Sequence, residues 1–349
     1  MSGYQRPAAA EGALRLHLNE NTAGASPDAV AAIAALDAED LAYYPEYDAV
    51  VAETAAYLGV DTSQLLLTNG LDEGILAAAV ATARATVADG APRPDVIVPL
   101  PAFDMYGVCA RAVGARLVTV QPRRDFEFAL DNVLRAITPA TRLVFITSPN
   151  NPTGVRIRLS DIERVAASVP SGGLVFVDEA YHDFCGDTAL PLLQSRDNVI
   201  VGRTFAKGHG LAALRAGAVI GRPETLGALR LVVPPYSLNV CAAVALRAAL
   251  ADRARLTWYR DEVRASRELV YAWCRGRGVP FWESGANFVL IRIGDRAREV
   301  VDGLARRGVV VRERSGDAGC EGCVRMTTGV VAHTQRGLDA LEEVLCAAE

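Results

Sequence analysis

Between about residue 64 and residue 231 the chain alternates short apolar runs with longer stretches of helical period. The apolar runs fall at 65–67, 96–99, 116–120, 143–147, 174–177, 199–204 and 216–220. Several are apolar at consecutive positions, so both faces of each predicted strand must be covered, as in a sheet sandwiched by helices. Helical spacing fills the intervals, for instance over 71–83 and 160–169, the second with Ser160 and Asp161 as its expected N-terminal cap. This alternation predicts an α/β domain with a mostly parallel sheet, in which ligands gather at the carboxyl ends of the strands. Past residue 250 the pattern changes. A long helical stretch over 251–277 leads to strands at 288–293, 309–312 and 324–327, with helices near 296–307 and 334–346. The expected division is an N-terminal arm over 1–30, a large α/β domain over 31–250 and a smaller α+β domain over 251–349. The arm reads as irregular until Ser26-Pro27-Asp28, which has the form of an N-cap, a first-turn proline and an acid at the positive end of a helix.

Composition narrows the class of partner. The 349 residues are 51% hydrophobic and 22% charged, enough to bury a large core, with a net charge of −5. That balance argues against nucleic acid or an anionic membrane surface as the main partner. The start, MSGYQRPAAAEG, lacks the apolar core of a signal peptide, and no apolar run reaches about 18 residues, so a cytoplasmic protein is expected. Seven scattered cysteines read as reduced packing residues; Cys320 and Cys323 form one CxxC, too few ligands for a tetrahedral zinc site. Of the 36 basic residues a single one is lysine, Lys207, and the other 35 are arginine. Arginine keeps its charge at any pH a protein survives, whereas a lysine amine can lose its proton and attack a carbonyl.

Five loops carry candidate chemistry, each with a plainer alternative. Asp178 ends the apolar run of LVFVDEAY, where a carboxylate is costly unless a cation meets it; it could also be a helix cap. Tyr181 lies three residues on. Lys207 follows the run NVIVGRT in TFAKGHGLAALRAG, where desolvation would lower its pKa; a solvated surface lysine is the alternative. The same segment contains GHGLAA, which matches a dinucleotide-binding fingerprint, but no acid follows the next strand to hold a ribose. TNGLDEG at 68–74 is a strand–glycine–helix junction, suited to phosphate on backbone amides or to an ordinary turn. SPNNPTG at 148–154 holds two asparagines between prolines and reads as a rigid loop or as turn chemistry alone. Arg325 in CVRMTT sits inside an apolar strand and needs a carboxylate, from a substrate or from within the protein.

An amine nucleophile, a buried acid, a phosphate cradle and an anion-binding arginine are together what pyridoxal phosphate and an amino acid require. TFAKGHGLAALRAG resembles the lysine segment of fold-type I pyridoxal-phosphate enzymes, and SPNNPTG and VDEAY strengthen the likeness. LHLNEN at 16–21, YYPEY at 43–47, TNGLDEG and PAFDMYGV at 101–108 narrow the resemblance to the histidinol-phosphate aminotransferase branch, from about Leu14 to Cys346. It implies a fold-type I transferase with a seven-stranded sheet in the large domain. It also implies that Lys207 is the Schiff-base lysine and proton shuttle, and that Asp178 pairs with the pyridinium nitrogen. Tyr181 and Asn151 would meet the ring's phenolic oxygen, and Phe103 would stack on the ring. The phosphate would sit on the amides of Leu71 and Asp72, with Thr204 and Arg215. Tyr44 would reach the phosphate of a neighbouring subunit, which implies a homodimer with shared sites. Arg325 would clamp the substrate carboxylate, with Arg312 toward a distal group, and Asn19 to Asn21 would belong to an arm over the substrate. Beside the pyridinium charge, Asp178 would have a depressed pKa.

Departures from the family pattern fall on the substrate side. Asn21-Thr-Ala23-Gly-Ala-Ser-Pro27 stands where NPYGPSP is usual, so the aromatic of the substrate lid is absent. Ala206, Gly208 and His209 also differ around the lysine. The expected activity is transfer of the α-amino group of an L-amino acid or histidinol phosphate to a 2-oxo acid. The alternatives are a decarboxylase, cyclase or oxidase on the same cofactor, a nicotinamide oxidoreductase, or a binding module without turnover.

Overall fold

The computed structural model of the chain describes residues 11–84 and 93–346. Most of the start read above for a signal peptide, residues 1–10, and the last three residues lie outside the described residues. In chain order the strands are β1 (Leu14–Arg15), β2 (Leu65–Asn69), β3 (Asp95–Pro99), β4 (Arg116–Val120), β5 (Thr141–Thr147), β6 (Leu174–Asp178), β7 (Val199–Thr204), β8 (Ala216–Ile220), β9 (Phe288–Arg292), β10 (Val309–Val310), β11 (Arg312–Glu313) and β12 (Cys323–Thr327).

Seven strands form one sheet in the order β2-β8-β7-β6-β5-β3-β4. All are parallel except β8, which runs antiparallel to both β2 and β7. Consecutive apolar residues in the central strands serve two cores, because alternate side chains leave opposite faces. Val144, Ile146, Val175, Val177, Val199 and Val201 enter one cluster, and Leu143, Phe145, Leu174, Phe176 and Ile200 enter the other. Each such side chain contributes on the order of 1.5–3 kcal/mol by leaving water. This two-sided burial holds the strand ends, and the residues just beyond them, in fixed register.

The helix Leu71–Ala83 leaves β2 at Gly70, whose φ of 74° starts it without a side-chain cap. The helix Pro27–Ala34 begins as its sequence indicates: the Ser26 hydroxyl accepts from the Asp28 amide and Pro27 opens the first turn. The helix expected over 160–169 is Leu159–Ser168, with Arg158 at the cap position and no side-chain cap bond. Ser160 and Asp161 lie instead in its first turn, where the acid faces the positive end of the helix. The long helical run near 251 is divided at Asp252 into the helices Val240–Ala251 and Arg253–Arg277, and the Asp252 side chain accepts from the Arg255 amide at the start of the second.

A three-stranded antiparallel sheet, β11-β12-β9, packs with the helices Arg253–Arg277, Ala297–Arg306 and Val331–Cys346. The strand expected over 309–312 is split: β10 pairs with β1, whereas β11 pairs with β12. The segment before Pro27 is therefore not wholly irregular. Its β1 runs parallel to β10, and Leu16 is buried in the core of Val289, Ile291, Val324 and Met326. The backbone crosses from there to the large sheet, carrying residues 17–21 over the ends of β6 and β7.

Candidate active site

Asp178 is the last residue of β6 and is buried, with Thr147 beside it in register on β5. One carboxylate oxygen, Oδ1, accepts from the Ala180 amide at 2.9 Å. The other, Oδ2, accepts from the Tyr106 hydroxyl at 2.6 Å, and the Tyr106 oxygen lies 2.7 Å from Thr147 Oγ1. Burial pushes the carboxyl up to about 6, opposed by the Tyr106 and Ala180 hydrogen bonds. The depressed value expected from sequence needs a cation against the carboxylate. Here Lys207 is the smallest influence acting on it, so burial wins in the protein by itself.

Lys207 follows β7 and is partly buried, its Nζ donating to the Leu18 carbonyl at 3.0 Å. Burial, reinforced by the positive charge of Arg325, lowers its pKa to about 8. An amine so placed is within reach of its neutral, nucleophilic form near physiological pH. The GHGLAA segment around it does not lead into a helix along a parallel unit. It makes only the short 3-10 turn Ala212–Leu214 before β8 returns antiparallel, so the strand–turn–helix context of a dinucleotide fingerprint is absent there.

The start of the helix Leu71–Ala83 forms a cradle. A Cβ on Gly70 would stand 2.4 Å from Arg215 Nη2, and one on Gly217 would stand 2.7 Å from the Leu71 amide nitrogen. Only glycine allows the Arg215 guanidinium and the two backbone segments to approach this closely. Arg215 holds a left-handed backbone at φ 58°, uncommon for a non-glycine residue, and its Nη2 lies 3.0 Å from Asp72 Oδ2. Thr204 lines the same cavity.

The opposite wall comes from the small domain and the N-terminal segment. Arg325 is buried on β12; it donates to the His17 carbonyl at 2.7 Å and to Asn151 Oδ1. Its Nε is buried without a partner among the described residues. Arg312 stands directly across from it in the β11–β12 register, and among the described residues no hydrogen bond or ion pair engages the Arg312 guanidinium. The buried His17 imidazole also has both nitrogens unpartnered, and burial together with Arg15, Arg312 and Arg325 lowers its pKa to about 4. Asn19, left-handed at φ 55°, donates from its side chain to the Tyr181 hydroxyl oxygen at 2.9 Å. At the rim, Arg15 and Glu20 pair at 2.6 Å.

These groups enclose a cavity of about 480 Å³. Leu71, Asp72, Phe103, Asn151, Asp178, Tyr181, Thr204, Lys207, Arg215 and Arg325 all line it. Three expected residues do not. Asn21 turns its amide to the Gly208 carbonyl at 2.9 Å, behind the lysine. Arg312 stands one strand behind Arg325, and Tyr44 is exposed on another face, stacked on Tyr236 at 4.3 Å between centroids. Sequence reading missed Tyr106 and Thr147, which complete the floor around Asp178, and His17, whose carbonyl holds Arg325. Tyr106 lies inside the quoted run PAFDMYGV, but nothing there signals a contact 72 positions away.

The cavity fits pyridoxal phosphate on three observations of its own residues. The glycine cradle at Gly70 leaves room at a helix N-terminus for a phosphate. The amine and the carboxylate line the same cavity, as an aldehyde and a ring nitrogen on one small molecule require. The unpartnered Nε of Arg325 faces the demand for an anion at the far wall. Among the described residues no helix is long and apolar enough to cross a membrane, and all seven cysteines are free.

Comparison with known proteins gives a consistent result. The model of the family "aminotransferase class I and II" matches residues 11–345. A histidinol-phosphate aminotransferase from Moorella thermoacetica is 34% identical over 350 residues, covering 98% of this chain and 88% of the relative. One from Methanocella arvoryzae is 36% identical over 344 residues, covering 95% and 90%. Among solved structures, the histidinol-phosphate aminotransferase of Sinorhizobium meliloti in complex with pyridoxal-5'-phosphate aligns at a TM-score of 0.84 and 27% identity, over 96% of this chain and 91% of that one.

Proposed function

The chain belongs to the class I and II aminotransferase family, and from that premise we propose that its cavity takes the amino group of a donor bearing a dianionic phosphate, histidinol phosphate or a close analogue. The general activity is pyridoxal-phosphate-dependent transfer of an amino group from an amino-acid-type donor to a 2-oxo acid. When bound, pyridoxal phosphate supplies an aldehyde with which amines condense and a ring that accepts an electron pair from the adjacent carbon.

The chain's residues divide the rest of the work. Lys207 Nζ would hold the cofactor through its aldehyde and, when freed, would serve as the base that takes the proton from the donor's Cα. Asp178 would accept a hydrogen bond from the protonated ring nitrogen, and Tyr181 and Asn151 would hold the phenolic oxygen. Asn19 already occupies the Tyr181 oxygen as an acceptor, so its hydroxyl proton is free to donate toward the cavity. Arg325 likewise engages Asn151 through Oδ1 and leaves the side-chain amide to donate. Leu71 and Asp72 would offer amides to the phosphate, with Thr204 and Arg215 around it, and Phe103 would cover one ring face. Fixing the donor between Arg325 and the lysine aligns the Cα–H bond, an orientation effect.

The observation that carries the choice of donor is the facing pair Arg312 and Arg325. Like charges directly opposite on adjacent strands repel, and a single carboxylate satisfies one guanidinium fork. A phosphate dianion would balance the charge of both. An L-amino acid carboxylate at Arg325 remains the second reading, favoured by the absence of Arg312 from the cavity wall. Single-turnover spectra with histidinol phosphate, histidine and other amino donors decide between them. The expected result is a change in cofactor absorbance with one oxo product per site, fastest for the phosphorylated donor. Release of ammonia or carbon dioxide would overturn transamination itself.

Tyr44 supports a homodimer with shared sites. It is 74% exposed and stacks on the exposed Tyr236, with Leu41 and Tyr43 also exposed, and apolar groups gathered in this way suit a partner surface. A monomeric mass by sedimentation at micromolar concentration would overturn this assignment. A cytoplasmic location completes this reading.

A further inference from the structure

We propose that Tyr106 is the positioning residue that holds Asp178 ionised and aimed at the cofactor's ring nitrogen, with Thr147 setting the direction of its proton. The inference rests on the reading of Asp178 as the ring-nitrogen partner. Tyr106 is 1% exposed, its ring stacked on Phe145 at 4.6 Å between centroids. The stack leaves the hydroxyl one location, between Asp178 Oδ2 at 2.6 Å and Thr147 Oγ1 at 2.7 Å.

A phenol has one proton to give. If Tyr106 gives it to the carboxylate, Thr147 must donate to the phenol oxygen, and the result is a one-way relay from Thr147 to Tyr106 to Asp178. Such a chain strengthens each member and favours the charged carboxylate at its end. Five side chains surround Asp178 from the elements packed against it. They are Tyr106 from the helix Asp104–Ala112, Thr147 from β5, Asp72 from the helix Leu71–Ala83, Tyr181 from the loop after β6, and Lys207 after β7. Burial and the negative charge of Asp72 push toward the protonated acid; Tyr106 and the Ala180 amide oppose them more strongly than the charge on Lys207 does. A protonated Asp178 would no longer carry the charge that pairs with a protonated ring nitrogen. Tyr106 also meets Phe103 edge-on at 5.8 Å, so the same ring braces the residue placed over the cofactor face.

The test uses two probes and three variants. Binding of pyridoxal phosphate to the apoprotein is compared with binding of its carbocyclic analogue, in which C–H replaces the ring nitrogen. Tyr106→Phe keeps the stacking and removes only the hydroxyl. It should weaken pyridoxal phosphate at pH 7 by about 10-fold, the size of one charge-assisted hydrogen bond, and leave the carbocyclic probe within about 2-fold. In the same variant the Asp178 carboxyl of the apoprotein, followed by carbon NMR, should titrate about one pH unit higher. Thr147→Val should show a smaller shift of the same sign. Equal losses for both probes, or no loss for either, would overturn the role given to Tyr106. Asp178→Asn anchors the comparison. If it discriminates between the probes and Tyr106→Phe does not, the inference fails alone; if Asp178→Asn does not discriminate either, the ring-nitrogen reading fails and this inference with it.

Discussion

Asp178 and Arg325 are both almost completely buried and both line one cavity, yet the chain holds them by different means. Asp178 belongs to the floor. It ends a strand paired on both sides, and its register with Thr147 on β5 and Gly202 on β7 is set by the parallel ladder. Arg325 belongs to the wall, where contacts join residues 308 positions apart: Arg325 to the His17 carbonyl, the Asn19 amide to Thr327 Oγ1, and the Val330 amide to Thr22 Oγ1. The floor is positioned by backbone pairing and a two-sided apolar core. The wall has a ladder of its own, since β12 is paired to β11 and β9, but it is joined to the floor by single hydrogen bonds from one crossing segment. A ladder distributes the loss of any one bond over its neighbours, and single bonds do not. Mutations should therefore register on the floor as lost chemistry and on the wall as lost binding and docking.

The largest expected effect is at Lys207. Lys207→Ala should lower the single-turnover rate by at least about 10³-fold, and borohydride should then leave no cofactor on any lysine of the chain. Cofactor trapped elsewhere in both proteins would remove the lysine from the floor altogether. Arg325→Lys keeps charge on the wall and loses the planar fork. It should raise KM about 10–100-fold with a smaller change in kcat; a pure kcat loss would place Arg325 with the floor.

Asp178→Asn gives the comparison a sign. The carboxyl rises from 3.8 to about 6 on folding, so between those values the folded protein holds more protons than the unfolded chain. Stability contributed by this group therefore falls as pH rises through that window. Asparagine removes the cost, and the apoprotein should gain about 3 kcal/mol above pH 6, seen as a higher Tm. The gain should fade by about pH 4. A variant less stable than the wild type at pH 7 would show that the buried charge is well compensated. On the wall the sign reverses. Thr327→Val removes the acceptor of the Asn19 amide and should cost about 1 kcal/mol, with KM rising before cofactor affinity changes. Arg15→Gln at the rim breaks a pair whose arginine is 53% exposed. It should change stability by less than about 0.5 kcal/mol, and a larger loss would mean that the rim helps dock the crossing segment.

Legibility followed the same division. The seven strands of the large sheet were readable because each is a local apolar run ended by polar residues. The lysine, Asp178, the glycine turn at Gly70 and the SPNNPTG loop were readable because each follows such a run directly. Tyr106 was not. It lies on a helix spaced like any core aromatic, and only the stacking of three layers brings its hydroxyl to Asp178. The split of residues 309–313 between two sheets was also hidden, because Val309, Val310 and Val311 read as one continuous strand. So was the parallel pairing of β1, since two residues carry no period. Asn21 was assigned to the substrate by resemblance, whereas its amide turns behind the lysine to Gly208.

What the amino-acid sequence determined by itself was the α/β alternation, the order of the motifs, and the one position at which the basic side chain is an amine. Those properties are local: they depend on neighbours along the chain and on side-chain chemistry. Tertiary structure alone decided that Arg312 faces Arg325, that His17 supplies a carbonyl while its ring nitrogens have no hydrogen-bond partner among the described residues, and that Asp178 is buried enough to need a tyrosine. Each of these depends on strand register and on the removal of water between distant segments. Charge and hydrogen bonding take their strength from that dry, ordered environment, and it exists only after the chain has packed.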